Sequence, residues 1–359
     1  MPTDLRTQKL AKFVVNNILK TKRNETVIID GSTEAQEFIL ALYKEVILAG
    51  AHPSLRISIP ETASFFYKHA KPHQIEKYPD HAEYMINHAQ KYVGISTDNN
   101  TRELSSCDPK KITARAKVTK KISDLICNNK PKMYWCIVAF PCQALAQEAE
   151  MSLNEYENFV FGATIGVDWS KTGKLMKKIL GKFKENSSVH LIGENVDLKM
   201  KVHGKKAISD LTGDNFPMGE VFMAPVRESL NGKIKFDFPA VRSGKEVTDV
   251  ELTFKDGKVI NASASKNEDF LREMLNTDNN SSYVGELGIG CNPKVTKFTK
   301  NLLFDEKIGG TIHLALGDAY RDNGGGNDSA IHWDIVKDMR KAKIIVDGKI
   351  IQENGVWKI

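Results

Sequence analysis

The first half of the chain has an apolar pattern that predicts strands alternating with helices. Residues 26–30 form an apolar run of strand length, and apolar residues recur at helical spacing from Ala35 to Ala49. Further strands are predicted at residues 55–59, 92–96 and 133–140, with helical stretches between them. Strands that alternate with helices are typical of a parallel sheet covered on both faces.

In the second half, dipeptides that favour turns separate the apolar or alternating runs. Val250, Leu252 and Phe254 alternate with polar residues, as expected for a strand with one buried face. One amphipathic helix is predicted at residues 268–275. Pairs that favour β-hairpin turns lie between apolar or alternating runs at Asn231-Gly232, Asp256-Gly257, Asp347-Gly348 and Asn354-Gly355. The second half is therefore predicted to be mainly antiparallel.

Together the two halves predict a chain of class α/β plus α+β. An N-terminal α/β domain with a parallel sheet is expected over residues 1–185, followed by a mainly antiparallel, β-rich domain over residues 186–359. The boundary is placed after a basic amphipathic helix within residues 171–184. The length of 359 residues fits two domains, because each is then large enough to bury its own core.

Composition excludes several classes of protein. The content of 27% charged and 41% hydrophobic residues is that of a globular protein. The longest apolar run, residues 133–147, is broken by Pro141 and is shorter than the roughly 20 residues of a membrane-spanning helix. No secretory signal pattern opens the chain, and the five cysteines include no CxxC pair, which favours reduced thiols in the cytoplasm. Two basic segments, residues 110–121 and 171–184, occur without a nucleic-acid-binding motif, so no nucleic-acid partner is expected.

His332 and Asp334 form the most informative pair of polar residues. In a strand, positions i and i+2 point to the same face, so this imidazole and this carboxylate would reach one spot. His and carboxylate are ligands that suit zinc, cobalt or manganese. His313 lies upstream in an apolar, strand-like run, and Tyr320 follows it. The pattern indicates a candidate metal site.

Two acidic residues further upstream have unusual neighbours. Glu286 lies in the glycine-flanked segment 285–290, and Glu220 lies between apolar residues in the segment 216–222. Because burial of a lone carboxylate is too costly, Glu220 is expected either at the mouth of a site or beside a positive group.

Each of these residues also has an interpretation without a ligand. A histidine in an apolar strand is more often a hydrogen-bonded core residue, and a His-x-Asp pair often arises by chance. The glycines of residues 285–290 do not form the dinucleotide fingerprint, and the chain has no P-loop motif. Asp30-Gly31-Ser32, after the first strand, is either an anion site at a helix N-terminus or a capping turn.

Taken together, the chain resembles the aminopeptidase T and aminopeptidase S family of dinuclear metalloaminopeptidases. The resemblance extends over nearly the whole chain, and its most specific part lies in the second half. The landmarks follow in family order: residues 219–222, Asn231-Gly232, residues 254–259, Gly285-Glu286, residues 303–307, residues 313–317, Tyr320 and residues 327–334.

The resemblance implies a ligand set and a mechanism. It implies two divalent ions, of zinc, cobalt or manganese, that activate a bridging water and polarise the first peptide carbonyl of the substrate. It implies that Tyr320 donates a hydrogen bond to the oxyanion, and that Glu286 or Glu306 moves the proton. Family members are homodimers whose N-terminal domains restrict access to the site, and the same is expected of residues 1–185. The implied metal ligands are Glu220, Glu286, His313, His332 and Asp334.

The expected function is that of a cytoplasmic, metal-dependent aminopeptidase acting on short peptides with a free N-terminus. Two alternatives stay open. One is a dinuclear metal hydrolase of another amide or of an ester, because two-metal sites serve several hydrolytic reactions. The other is a non-catalytic protein of the same fold that binds a small anionic ligand at the carboxyl ends of its parallel strands.

Overall fold

A computed structural model describes residues 4–129, 131–242 and 244–359, which pack into two compact units. Unit 1 contains the chain up to Ile165 together with Thr212–Pro217, and unit 2 contains Gly166–Leu211 and Met218–Ile359. The predicted domain boundary at residue 185 stays a prediction. The compact units divide earlier, after Ile165, so the basic helix belongs to unit 2. Among the helices of the described residues, none is both long and apolar enough to cross a membrane.

The helices lie mainly in unit 1. Short 3-10 turns occupy Thr33–Ala35, Gly204–Lys206 and Arg321–Asn323, and the first helix continues into a π-helical segment, Val14–Ile18. The α-helices are α1 (Leu5–Phe13), α2 (Gln36–Leu48), α3 (Thr62–His69), α4 (Pro72–Ile75), α5 (Asp80–Asn87), α6 (Pro109–Cys127), α7 (Gln143–Glu148), α8 (Leu153–Ala163), α9 (Trp169–Leu180), α10 (Glu268–Leu275) and α11 (Leu302–Asp305).

The strands dominate unit 2. In chain order they are β1 (Thr26–Ser32), β2 (His52–Ser58), β3 (Lys91–Ser96), β4 (Tyr134–Ala139), β5 (Glu185–Gly193), β6 (Val196–His203), β7 (Ile208–Ser209), β8 (Asn215–Phe216), β9 (Glu220–Met223), β10 (Asn231–Lys235), β11 (Ala240–Arg242), β12 (Lys245–Val247), β13 (Glu251–Lys255), β14 (Lys258–Ser263), β15 (Val284–Gly290), β16 (Thr311–Gly317), β17 (His332–Asp338), β18 (Ala342–Val346), β19 (Lys349–Glu353) and β20 (Val356–Trp357).

Unit 1 is built on a parallel sheet of order β2-β1-β3-β4-β8, which confirms the predicted fold class of the first half. Ile28 on one face of the sheet packs with Ile86 of α5 and Ile122 of α6. The prediction started β2 at residue 55, but the strand begins at His52. It includes Pro53, which an edge strand tolerates because its outer side needs no ladder hydrogen bonds.

The largest sheet of unit 2 is antiparallel, with the order β14-β13-β10-β6-β5-β18-β19-β20. The predicted turns at Asp256-Gly257, Asp347-Gly348 and Asn354-Gly355 are confirmed, because each joins two consecutive strands. The prediction for Asn231-Gly232 is wrong, since both residues belong to β10. A Cβ at Gly232 would lie 2.1 Å from the carbonyl oxygen of Asp197, so this glycine permits close strand pairing instead of a turn.

A second antiparallel sheet in unit 2, of order β17-β16-β15-β9-β7, carries the candidate site. Its apolar face shares one core with the larger sheet and with Met176 and Ile179 of α9. Side chains of β15, β16 and β17 that alternate along the strands, as the pleat requires, enter this core, among them Leu287, Ile289, Ile312, Leu314, Trp333 and Ile335. The residues between them therefore point to the opposite face.

Candidate metal centre

Strand register brings the predicted site residues to that opposite face. Glu286 pairs with Ala315, Asp334 pairs with the same Ala315 from the other side, and Glu220 pairs with Gly290. Because directly paired residues point to the same face, the three acidic residues project together with His313, which pairs with Gly288. His332 lies two residues before Asp334 on β17 and therefore shares that face.

Small residues leave room for the charged side chains. A Cβ at Gly288 would lie 2.0 Å from both Cε1 and Nε2 of His313, so the imidazole lies directly across this glycine. The neighbouring paired positions Gly290, Ala315 and Gly317 also lack large side chains. Gly288 therefore makes room for the histidine ring, whereas Gly285 and Gly290 allow close approach of the backbone carbonyls of Asp318 and Ile308.

His313 lies at the centre of the cluster. Its Nε2 atom is 3.4 Å from Glu286 Oε1, 3.5 Å from Glu220 Oε2 and 3.8 Å from Asp334 Oδ1. The imidazole is fully buried, and the three carboxylates are nearly so. Three carboxylates thus converge on one ring nitrogen without forming short hydrogen bonds to it.

His332 is oriented by the backbone. Its Nδ1 lies 2.9 Å from the carbonyl oxygen of Asp318, and because a carbonyl only accepts, Nδ1 is the donor. Nε2 is then left facing Asp334 Oδ2 at 3.5 Å. Arg242 donates from Nη1 to the carbonyl oxygen of His332 at 2.6 Å and holds the start of β17. Hydrogen bonding of the second ring nitrogen to a carbonyl is the usual support of a metal-binding histidine.

Glu220 is paired with a cation, which confirms one of the two surroundings expected for it. Lys307 is fully buried, and its Nζ lies 3.3 Å from Glu220 Oε1. The same ammonium forms a shorter ion pair with Glu306 Oε1. Both Glu306 and Lys307 come from the segment between α11 and β16. Lys307 thus links one carboxylate of the sheet to one carboxylate of the loop.

Burial and charge shift the pKa values of the cluster in opposite directions. Burial, together with Glu306, raises the pKa of Glu220 to about 7, and burial also raises the pKa of Glu286. Burial lowers the pKa of His313, but Glu286, Asp334 and Glu220 outweigh it and raise the value to about 9. For Asp334, burial favours the neutral form, but His332 and His313 outweigh it and lower the pKa to about 2. The cluster therefore holds closely spaced charges of both signs.

Several polar atoms of the cluster are buried without a hydrogen-bond partner. Among the described residues these include Glu220 Oε2, Asp334 Oδ1 and Nδ1 of His313. Buried carboxylate oxygens without donors are costly, and a bound cation would satisfy them. The donors fit such an ion, because ligand bonds of about 2.0–2.2 Å place neighbouring ligand atoms about 3.4 Å apart, close to the observed separations.

Two overlapping groups have the composition of a metal site. The first contains Glu286, His313 and Asp334, and the second contains Glu220, Glu306 and His313. In each group one possible ligand atom per residue lies within 4.8 Å of the others. His313 belongs to both groups, so the two groups overlap at its imidazole.

Tyr320 borders the cluster. Its ring centroid is 4.9 Å from that of His332, and the residue is 51% exposed. Burial of the hydroxyl raises the pKa of Tyr320, as do the carboxylates of Glu286 and Asp334. The phenol therefore stays protonated and is a hydrogen-bond donor beside the buried carboxylates.

Thus the structure brings Glu220, Glu286, His313, His332 and Asp334 together and sets Tyr320 beside them. Sequence reasoning missed the structural roles of Lys307 and Asn323. The side-chain amide of Asn323 donates to Glu286 Oε2 at 3.2 Å. The expectation that Glu220 needs a positive partner could have indicated Lys307. The sequence, however, did not distinguish Lys307 from the other lysines.

The fold and the cluster define a two-unit protein with a buried centre of histidine and carboxylate side chains. Residues 3–357 match the family of thermophilic metalloproteases (M29), and the chain belongs to this family. As a member, it is a peptide-bond hydrolase that uses a divalent metal. The match extends over both units, so the parallel sheet of unit 1 is part of the family architecture.

Named relatives and a solved structure agree with this assignment. Aminopeptidase AmpS of Bacillus subtilis is 24% identical over an alignment of 400 positions that covers 97% of each chain. Aminopeptidase T of Thermus aquaticus is 32% identical over 172 residues, which cover 42% of this chain and 41% of that protein. The structure of wild-type AmpT from Thermus thermophilus has a TM-score of 0.85 at 21% identity and covers 99% of both chains, which establishes the shared fold.

The close approach at Gly288 leads to a prediction. In Gly288→Ala, the added methyl group would displace the His313 ring from the centre of the cluster. Because the imidazole would then no longer face a bound ion, we expect metal affinity to fall about tenfold or more. Bound metal per chain, measured after dialysis against limiting metal, checks this. Gly326→Ala is the matched control, because a Cβ there meets nothing within 4 Å. Unchanged affinity in a folded G288A protein would contradict the assigned position of the ring.

Proposed function

We propose that this chain is a cytoplasmic aminopeptidase that binds two divalent ions at the candidate metal centre and removes the first residue of short peptides. The proposed ligands are the five predicted residues together with Glu306: Glu220, Glu286, Glu306, His313, His332 and Asp334. The observation that carries the proposal is the convergence of three buried carboxylates on His313 Nε2 at 3.4–3.8 Å. Zinc, cobalt and manganese all suit this mixture of nitrogen and oxygen donors.

The residues of the chain have separate tasks in this proposal. The bound ions would supply Lewis acidity that polarises the scissile carbonyl and activates water. Tyr320, half exposed and protonated, donates a hydrogen bond to the oxygen on which negative charge develops. Of the two candidate proton carriers, Glu286 is preferred because Glu306 is already ion-paired with Lys307. The side-chain amide of Asn323, which donates to Glu286 Oε2, orients this carboxylate.

The metal dependence of cleavage tests this function. Chelator-treated protein is assayed with aminoacyl-p-nitroanilides before and after addition of zinc, cobalt or manganese. We expect metal-restored release of p-nitroaniline from substrates with a free amine and none from their N-acetylated counterparts. Cleavage of the acetylated substrates alone would favour the alternative amide hydrolase, and two bound ions without any amide cleavage would favour an ester substrate.

His332→Ala is the matching variant for the site. It removes one ligand, so we expect loss of both bound metal and activity. His190→Ala is the control, because His190 lies in the larger sheet of unit 2 and pairs with Asp197. Activity that survives in H332A and is lost in H190A would place the reaction elsewhere in the chain.

A conservative variant tests the role of Tyr320. Tyr320→Phe keeps the ring beside His332 and removes only the hydroxyl donor. By analogy with other oxyanion donors, kcat should fall by about 100–1000-fold while bound metal per chain stays unchanged. A rise in KM alone, with kcat preserved, would show that the hydroxyl binds the ground state and the transition state equally.

A homodimer is part of the proposal, and unit 1 offers a surface for it. Leu40, Tyr43 and Ile47 lie on the outer side of α2 and are 38–50% exposed. Leu55 and Ile57 of the edge strand β2 are similarly exposed and lie on the face of the sheet that α2 covers. We name these five residues the α2–β2 surface. A second copy related by a two-fold axis would cover the same apolar surface on both partners.

Substitution of charged residues into the α2–β2 surface tests whether this surface forms the dimer interface. The double variant Leu40→Glu/Ile47→Glu should shift the mass measured by light scattering from that of two chains to that of one, because charged residues are disfavoured at an interface core. Leu302→Glu is the control, since Leu302 is 47% exposed and belongs to unit 2. A dimer that persists in the double variant would locate the interface elsewhere.

A further inference from the structure

The two donor groups of the candidate metal centre have different neighbours. We call Glu286, His313 and Asp334 group A, and Glu220, Glu306 and His313 group B. Both groups are formed by acidic side chains around the same imidazole. They differ in whether a permanent positive charge of the protein contacts them.

Lys307 contacts group B directly. Its Nζ lies 3.3 Å from Glu220 Oε1 and forms a shorter ion pair with Glu306 Oε1. Within the described part of the chain, no ion pair joins Lys307 to Glu286 or Asp334. The lysine side chain is fully buried, so its charge is poorly screened by water and salt.

The contact also fixes the orientation of Glu220. Oε1 is held by the ammonium, while Oε2 points to His313 Nε2 at 3.5 Å and accepts no hydrogen bond within the described residues. One oxygen of this carboxylate is therefore available to a cation, and the other is occupied by the lysine.

We propose that Lys307 makes the two metal positions unequal, so that one divalent ion binds tightly at group A and a second binds more weakly at group B. An ion at group B shares both of its carboxylates with an ammonium group, and like charges repel strongly at such distances in a buried site. Lys307 is thus a positioning residue that sets the order in which the centre fills. The inference rests on the proposed function, in which both groups bind ions.

The wild-type protein provides the first test. Metal-free full-length protein is titrated with Co²⁺, and binding is followed by visible absorption and by bound cobalt per chain. We expect two steps, whose dissociation constants differ by about tenfold or more because of the added repulsion at group B. Two ions binding in one step with equal affinity would overturn the inference alone. Failure to bind cobalt at all would contradict the proposed function itself.

Two ligand variants assign the steps. Glu286→Gln removes a donor that belongs only to group A, and Glu306→Gln removes one that belongs only to group B. We expect E286Q to abolish the tight step and E306Q to abolish only the weak one. The reverse assignment would overturn the inference.

Removal of the lysine charge tests whether Lys307 causes the difference in affinity between the two steps. In Lys307→Met, the weak step should tighten severalfold while the tight step changes little, so that the two constants approach each other. Lys337→Met is the matched control, because Lys337 is also buried but pairs with Asp237. An unchanged separation in folded K307M would overturn the inference. If K307M does not fold, the wild-type titration and the E286Q and E306Q pair decide the question.

Discussion

The burial of Glu220, Glu286 and Asp334 around the imidazole of His313 is the constraint on which the rest of unit 2 depends. Removing a single carboxylate from water costs several kcal/mol after relaxation, and like charges add to that cost. The protein offsets part of it with the ammonium of Lys307 and with His332, which faces Asp334. Oxygens that still lack a donor remain at the centre. The arrangement is therefore complete only with further positive charge.

The strand pleat allows this charged cluster to exist beside an apolar core. Along β15, β16 and β17, leucine, isoleucine and tryptophan side chains enter the core. The intervening positions at the site carry ionisable or small residues: Glu286, Gly288, His313, Ala315, His332 and Asp334. A slip of one residue in register would move the charges into the core and the apolar side chains to the site. Core and site thus specify the same register. Glycine at 288 is required in addition, because the His313 ring occupies the space of a side chain there.

Much of this architecture follows from local patterns in the sequence. Apolar strand runs that alternate with helical stretches predicted the parallel sheet, and turn dipeptides between alternating runs predicted the antiparallel second half. The amphipathic pattern predicted the helix at residues 268–275, and the structure contains all three. The i and i+2 spacing of His332 and Asp334 correctly placed both side chains on one face. Asn231-Gly232 failed as a turn signal, because glycine also serves the close pairing of strands, and the dipeptide does not distinguish these uses.

Local sequence patterns did not predict which residues contact the cluster from distant parts of the chain. Lys307 lies 87 residues from Glu220, and nothing in its neighbourhood marks it as a buried cation. Asn323 and Arg242 likewise act through contacts that only the folded chain creates. The sequence pointed to the acidic and imidazole side chains of the cluster because their chemistry is distinctive. It did not identify the groups that orient them, because lysine, asparagine and arginine are common in any loop.

In the proposed metal centre, the dispersed origin of the donors would couple metal binding to folding. Glu220 and Asp334 are separated by more than one hundred residues and meet only when β9, β15, β16 and β17 pair. An ion that binds this arrangement but not the unfolded chain adds about 2.7 kcal/mol of stability at a free concentration 100 times its dissociation constant. The mutual repulsion of the buried carboxylates weakens the metal-free fold, and the same negative charge strengthens the attraction for a cation. In the proposed centre, part of the metal affinity would therefore come from relief of the charge repulsion that the fold imposes.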